Sequence, residues 1–202
     1  MPSARTLLLI RHAETGWNKE GRFQGQTDVP LSNVGREQAR ALRMRLLAHP
    51  ELFDPDHTLV VSSDLARAHQ TAEIAFGVEA REIRSDPQLR EYRYGIFEGL
   101  TRDEIDTRYP GMLHAWTGGT RAYALDGGES RDEVYLRAHT AVERWLASSA
   151  HRTVIVVTHG GVMRQLLHRV LRERAGELSY QNVVTHALDV ASEAWAYRGR
   201  FG

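Results

Sequence analysis

Cysteine is absent from the 202-residue chain, which excludes a disulfide framework, a thiol nucleophile and a thiolate metal site. No stretch approaches the roughly 18 apolar residues of a membrane span, so a soluble protein without a membrane partner is expected. Net charge is lacking too: 26 basic side chains balance 26 acidic ones. The molecule as a whole then has no electrostatic reason to seek nucleic acid or an anionic surface, and any anion must be bound locally. Lysine is nearly missing, Lys19 being the only one, so the basic set is almost entirely arginine, the better match to carboxylate and phosphate. No repeat, long linker or low-complexity tract interrupts the sequence, and its length suits one domain spanning residues 1–202. The start, Met1 through Ile10, holds one early positive charge at Arg5 and an apolar run leading straight into Arg11 and His12. It reads as a first strand and not a secretion signal, which fits a cytoplasmic setting.

What is present alternates between strand and helix patterns. Thr6–Ile10 is a short apolar run of the kind buried on both faces of a sheet. Ser32 precedes a helical pattern from about Asn33 to Ala48, and Pro50 closes it. Thr58–Val61 is a second β-like run, after which Asp64 is placed to cap a helix reaching about Phe76. Ala80–Ile83 suggests a further strand, and Thr101–Tyr109 a short helix stopped by Pro110. Gly118, Gly119, Gly127 and Gly128 point to loop. A helix from about Arg131 to Ala150 follows, with Val134, Ala138, Ala141, Val142 and Trp145 as its apolar stripe. Thr153–Thr158 is the clearest strand, Gly161–Leu171 a helix, and Val183–Val190 with Ala194–Tyr197 two antiparallel strands joined around Ser192 and Glu193.

This order predicts an α/β fold, a three-layer αβα sandwich with a mostly parallel central sheet and an antiparallel edge strand. In such sheets chemistry gathers at the carboxyl ends of the strands. Arg11-His12 and Thr158-His159 both follow a strand immediately, so the fold could set two histidines, far apart in sequence, beside one ligand. A neutral histidine can attack phosphorus and carry the phosphoryl group, and an arginine can oppose its charge. Gly160 and Gly161 would let a backbone approach closely at a helix amino terminus, where anions bind. Arg67 would sit in the first turn of its helix with its fork free for phosphate or tied to Asp64. Glu91 is a candidate general acid, a role that suits a carboxyl near a bound anion. Taken singly, each also fits an ordinary strand-end hydrogen bond, ion pair or solvated loop. The remaining histidines, His49, His57, His69, His114, His139, His151, His168 and His186, are scattered without metal-ligand spacing. Trp116, Trp145 and Trp195 read as packing groups because no basic stripe accompanies them.

Together the motifs resemble the histidine phosphatase superfamily, also described as phosphoglycerate mutase-like. The resemblance rests on Arg11-His12-Ala13-Glu14-Thr15, Trp17-Asn18, Gly21-Arg22-Phe23-Gln24-Gly25, and Pro30-Leu31-Ser32 with Gly35. It continues through Ser62-Ser63-Asp64-Leu65-Ala66-Arg67-Ala68, Leu89-Arg90-Glu91 with Gly95, Gly127-Gly128-Glu129-Ser130 and Thr158-His159-Gly160-Gly161. The resemblance implies a transiently phosphorylated His12, with Arg11, Arg67 and His159 on the phosphoryl oxygens and Glu91 as proton donor to the leaving oxygen. It implies Asn18, Gln24 and the backbone near Gly25 and Gly160 as substrate-pocket groups, a variable pocket insertion over about residues 92–130, and no cofactor or metal. Tyr92, otherwise a packing residue, joins the pocket groups because it adjoins Glu91. The expected partners are a small phosphorylated metabolite and water, with a homodimer left open.

Ala13 stands where this family commonly has glycine, and Asp64 where proline is frequent; neither removes a charged role. The chain resembles the shorter phosphatase branch in lacking a mutase-like Trp-Arg-Arg segment, since Thr117 and Gly118 follow Trp116. Phosphomonoester hydrolysis is therefore the expected function. A bisphosphoglycerate-dependent phosphoglycerate mutase and a non-catalytic phospholigand-binding protein are the alternatives, the latter at odds with the presence of His12, Glu91 and His159.

Overall fold

The computed structural model describes residues 5–77, 82–191 and 194–201. Six strands, β1 (Arg5–Arg11), β2 (Thr58–Ser62), β3 (Ile83–Ser85), β4 (Thr153–Thr158), β5 (Thr185–Ala191) and β6 (Ala194–Phe201), form one sheet in the order β3-β2-β4-β1-β5-β6. The first four run parallel; β5 pairs antiparallel with β1, and β6 with β5. The sheet is thus mostly parallel with an antiparallel edge, as expected, and β5 and β6 are the two antiparallel strands expected near the end of the sequence.

Successive side chains of a strand point to opposite faces, and both faces here are covered. Leu8, Ile10, Val60, Ile155 and Val157 pack on Leu42 and Leu46 of helix α2 and Ala68, Ala72 and Phe76 of α3. Leu7, Leu9, Val61, Val154 and Val156 pack on Val134, Ala138 and Val142 of α6 and Val162, Met163 and Leu166 of α7. These helices span Asn33–Leu47 (α2), Ala66–Phe76 (α3), Arg131–Ser148 (α6) and Gly160–Leu171 (α7), completing three layers. Short helices α1 (Gly16–Glu20), α4 (Arg102–Arg108) and α5 (Met112–Gly118) lie in the connections. Phe97, Leu100, Ile105, Leu113 and Leu125 build a separate small core there. Among the described residues no helix is long and apolar enough to cross a membrane.

Ser32 caps α2 by accepting from Gly35 N, and Thr101 and Glu104 form a capping box on α4, both as their positions predict. Asp64 does not cap α3. Its carboxylate takes a two-point bond from Arg90, Nε to Oδ1 at 2.7 Å and Nη2 to Oδ2 at 2.6 Å, which is stronger than a cap to a neutral amide. The Ala66 amide donates instead to Asp28 Oδ1 at 2.7 Å, from 38 residues away in sequence. Residues 112–117, to which the sequence pattern assigns no element, form most of α5, because Met112, Leu113 and Trp116 fall at helical spacing and pack on the small core. The stripe of α6 is buried as predicted except that Trp145 is only partly covered and Leu146 takes the inner position. Of the strand expected at Ala80–Ile83, Ile83 opens β3, and residues 78–81 lie outside the described residues, as do Ser192 and Glu193.

Candidate active site

Sheet register brings the two histidines together. Arg11, the last residue of β1, pairs with Thr158, the last of β4, so the next residues emerge side by side. His12 N donates to Thr158 O at 2.9 Å, and the His12 and His159 rings lie 5.1 Å apart between centroids, tilted by 57°. The end of β2 joins them: Ser63 N donates to Val157 O at 2.9 Å, and Ser63 Oγ lies 2.9 Å from His159 Nε2.

His12 is 2% exposed, and its Nδ1 lies 2.7 Å from Ala13 O. A carbonyl can only accept, so Nδ1 carries the hydrogen and Nε2 keeps a lone pair. Burial holds the His12 ring well below the usual histidine pKa, and the Arg67 and Arg11 cations lower it further. A neutral, nucleophilic imidazole results. Burial also holds His159 well below its usual value, with Arg67 and then His12 adding to it. His159 is therefore a neutral imidazole as well; its Nδ1 is buried without a protein partner, and its Nε2 faces the Ser63 hydroxyl.

Arg67 is fully buried in the first turn of α3. Its fork is held by two carbonyls, Nη1 to Thr27 O at 2.9 Å and Nη2 to Gly25 O at 2.7 Å, and by no pairing with Asp64. The carbonyls orient the guanidinium without cancelling its charge. Gly25 sits at φ +54°, and a Cβ there would fall 2.0 Å from Glu98 Oε1, so only glycine fits. Arg11 donates from Nη1 to Tyr180 O, while its Nε is buried without a partner. Burial lowers both arginines' pKa values from the usual one, and Glu91 opposes that shift.

Glu91 is 8% exposed, with Oε1 accepting from Tyr92 N at 2.9 Å and Oε2 from Gly161 N at 3.0 Å. A Cβ on Gly161 would lie 2.3 Å from Glu91 Oε1, so the glycine is what allows the carboxyl to dock on the start of α7. Thr158 Oγ1 donates to Leu89 O at 2.7 Å, tying the strand end to the same segment.

A cavity of about 230 Å³ is lined by Arg11, His12, Asn18, Gln24, Arg67 and Glu91, six of the ten predicted site residues. Tyr92 and Gly160 line a larger cavity beside it, which Arg11 and Glu91 also border. Gly25 contributes the carbonyl under Arg67, and His159 packs behind His12 without forming part of either lining. Ala13 is buried against Leu31 and Ala39, so its methyl does not alter the pocket wall. Among the described residues no group of three or more His, Asp or Glu could hold a metal ion.

Several supporting residues carry no sequence signal of their own. Asn182 Nδ2 donates to His12 O at 2.9 Å, bracing His12 from the loop before β5. Arg137 of α6 grips the turn and loop carrying Glu91: Nη1 donates to Gln88 O and Arg90 O at 2.7 Å each, and Nη2 to Glu91 O at 3.0 Å. Glu129 neutralises it from 2.8 Å, with both side chains largely buried. Tyr94 and Arg102 border both cavities.

The arrangement can accept a phosphoryl group on a neutral nitrogen among fixed cations, with a carboxyl beside the leaving group. A family model described as the histidine phosphatase superfamily, branch 1, matches residues 7–199. Phosphoglycerate mutase-like protein 4 of Arabidopsis thaliana is 37% identical over 165 residues, covering 81% of this chain and 70% of that protein. Glucosyl-3-phosphoglycerate phosphatase of Mycolicibacterium vanbaalenii is 37% identical over 174 residues, covering 83% of this chain and 74% of its own. The solved structure of a mycobacterial glucosyl-3-phosphoglycerate phosphatase in complex with VO3 matches with a TM-score of 0.81 at 33% identity, over 96% of each chain.

Proposed function

The chain belongs to the histidine phosphatase superfamily, branch 1, and on that premise we propose that it hydrolyses small phosphomonoesters through a phosphohistidine formed on His12. One observation carries the reading: His12, with its free Nε2, opens with Arg11, Arg67 and Glu91 onto a single small cavity, backed by the His159 ring at 5.1 Å.

In the first step Nε2 attacks phosphorus and the bond to the leaving oxygen breaks, its electron pair staying with that oxygen. Glu91 supplies the proton. Arg11 and Arg67 oppose the charge spread over the phosphoryl oxygens, and His159 adds an N–H from behind. In the second step water attacks the phosphohistidine, Glu91 takes its proton, and the P–N bond breaks to release inorganic phosphate and neutral His12. Asn18 and Gln24 complete the wall around the phosphoryl group.

A mutase would run the same first step and hand the phosphoryl group to a sugar acid instead of water; a relative called phosphoglycerate mutase-like keeps that outcome in the test. Quenched assays of phosphoglycerate, with and without bisphosphoglycerate, measure isomer interconversion and phosphate release together. Release is expected to dominate, and rapid interconversion with little release would overturn hydrolysis. Glucosyl-3-phosphoglycerate, the substrate in a relative's name, belongs among the first metabolites assayed.

A further inference from the structure

The second cavity, of about 670 Å³, adjoins the phosphoryl pocket, and Arg11, Phe23, Glu91, Tyr94 and Arg102 border both. A phosphomonoester seated on His12 with its leaving oxygen at Glu91 would extend its remainder into this space. The lining has five arginines, Arg11, Arg102, Arg121, Arg131 and Arg164, against one carboxylate, Glu91. In a chain whose 26 basic and 26 acidic groups balance, that is a local excess of positive charge, and a cleft lined by one sign concentrates its field.

How each cation is held shows what remains for a ligand. Arg121 pairs with Asp132 at 2.8 Å. Arg131 donates to the carbonyls of Trp116, Thr117 and Gly119, which fix it without neutralising it. Arg102 and Arg164 form no ion pair with any described residue. Each lies over an aromatic ring, Arg102 over Phe23 at 5.9 Å and Arg164 over Tyr180 at 4.7 Å. Stacking restrains a guanidinium while its N–H edge stays available to an anion. The charge on Arg164 also depresses the pKa of Arg11, so the two guanidinium groups are within electrostatic reach of each other.

We infer that the larger cavity is a leaving-group subsite for a second anionic group, a carboxylate or a phosphate, bound by Arg164 and Arg102. The inference rests on the phosphatase reading, because it places the first phosphoryl group on His12. The enzyme's preferred substrates are then phosphomonoesters bearing two separated anions, and a leaving group with only hydroxyls leaves these cations unmatched.

Matched pairs test this. 3-Phosphoglycerate against glycerol 3-phosphate exchanges a carboxylate for a hydroxymethyl group, and fructose 1,6-bisphosphate against fructose 6-phosphate isolates the second phosphate. The anion-bearing member of at least one pair should have the higher kcat/KM by roughly tenfold or more, the scale of one charge-assisted hydrogen bond. Arg164→Gln or Arg102→Gln should shrink that ratio by a similar factor, and Arg164→Lys should restore part of it. Equal values within both pairs, or a preference surviving both glutamine substitutions, would overturn the subsite. Turnover of p-nitrophenyl phosphate separately checks the parent reading. Should that fail, equilibrium binding of 3-phosphoglycerate against glycerol 3-phosphate still decides the subsite, tighter binding of the carboxylate supporting it and equal binding refuting it.

Discussion

Arg137 shows how a residue outside the pocket can decide what happens in it. Its guanidinium holds the carbonyls of Gln88, Arg90 and Glu91, so the Glu91 carboxyl is aimed by a group that never meets substrate. Arg137→Met leaves those carbonyls and the buried Glu129 without their cation, and kcat should fall by roughly tenfold or more for an alkyl phosphate, whose departing alkoxide needs the proton. The loss should be several-fold smaller for p-nitrophenyl phosphate, and KM should change less than kcat. Equal losses for both substrates would show that Arg137 acts on the fold at large. Arg11, His12, Arg67 and His159 were legible in the sequence because each lies at the end of a strand or in the first turn of a helix, whereas Glu91, which follows the short turn Pro87–Leu89, was marked only by the Leu89-Arg90-Glu91 motif. Arg137 and Asn182 were not, because their bonds go to main-chain carbonyls, which every residue presents and no pattern marks.

The start of α7 is the element on which the position of the Glu91 carboxyl depends. Gly161 lends Glu91 an N–H and, having no side chain, leaves room for it. A methyl would fall 2.3 Å from Oε1 and 2.6 Å from the Tyr92 ring. Gly161→Ala should therefore push Glu91 out of place and reduce turnover of alkyl phosphates by at least about tenfold, a shift near 1.4 kcal/mol in the barrier. Stability should change by much less, since the site is at a helix end. Urea unfolding beside steady-state kinetics checks this; unaltered turnover would mean that the carboxyl need not dock there. The strands and long helices could be read from apolar period and capping residues. Helices α1 and α5 escaped because one or two turns give too few repeats to show a period, and Asp64 was misread because its partner, Arg90, lies 26 residues on.

Across the whole molecule, placing neutral histidines in the interior links folding to pH. Burial is the leading cause that lowers His12, His159 and His186 below the ordinary histidine value of 6.5. Below that pH the unfolded chain binds protons that the folded chain refuses, so stability is complete above about 6.5 and declines as pH falls. Each histidine contributes up to about 1.4 kcal/mol per pH unit within its window. The urea midpoint should therefore drop between roughly pH 7 and pH 5, and a level or rising midpoint would contradict the buried neutral assignment. The layered α/β class was legible from alternating patterns, whereas the strand order was not: placing β4 between β1 and β2, the step that joins the histidines, depends on packing between segments more than 90 residues apart, as the Ser63–His159 contact illustrates with a separation of 96. The central claim is that phosphorus visits His12 before water. The most direct test is the stereochemical course of hydrolysis with a substrate made chiral at phosphorus by oxygen isotopes and sulfur. Two in-line displacements predict retention of configuration, and inversion, the mark of a single transfer straight to water, would contradict the account.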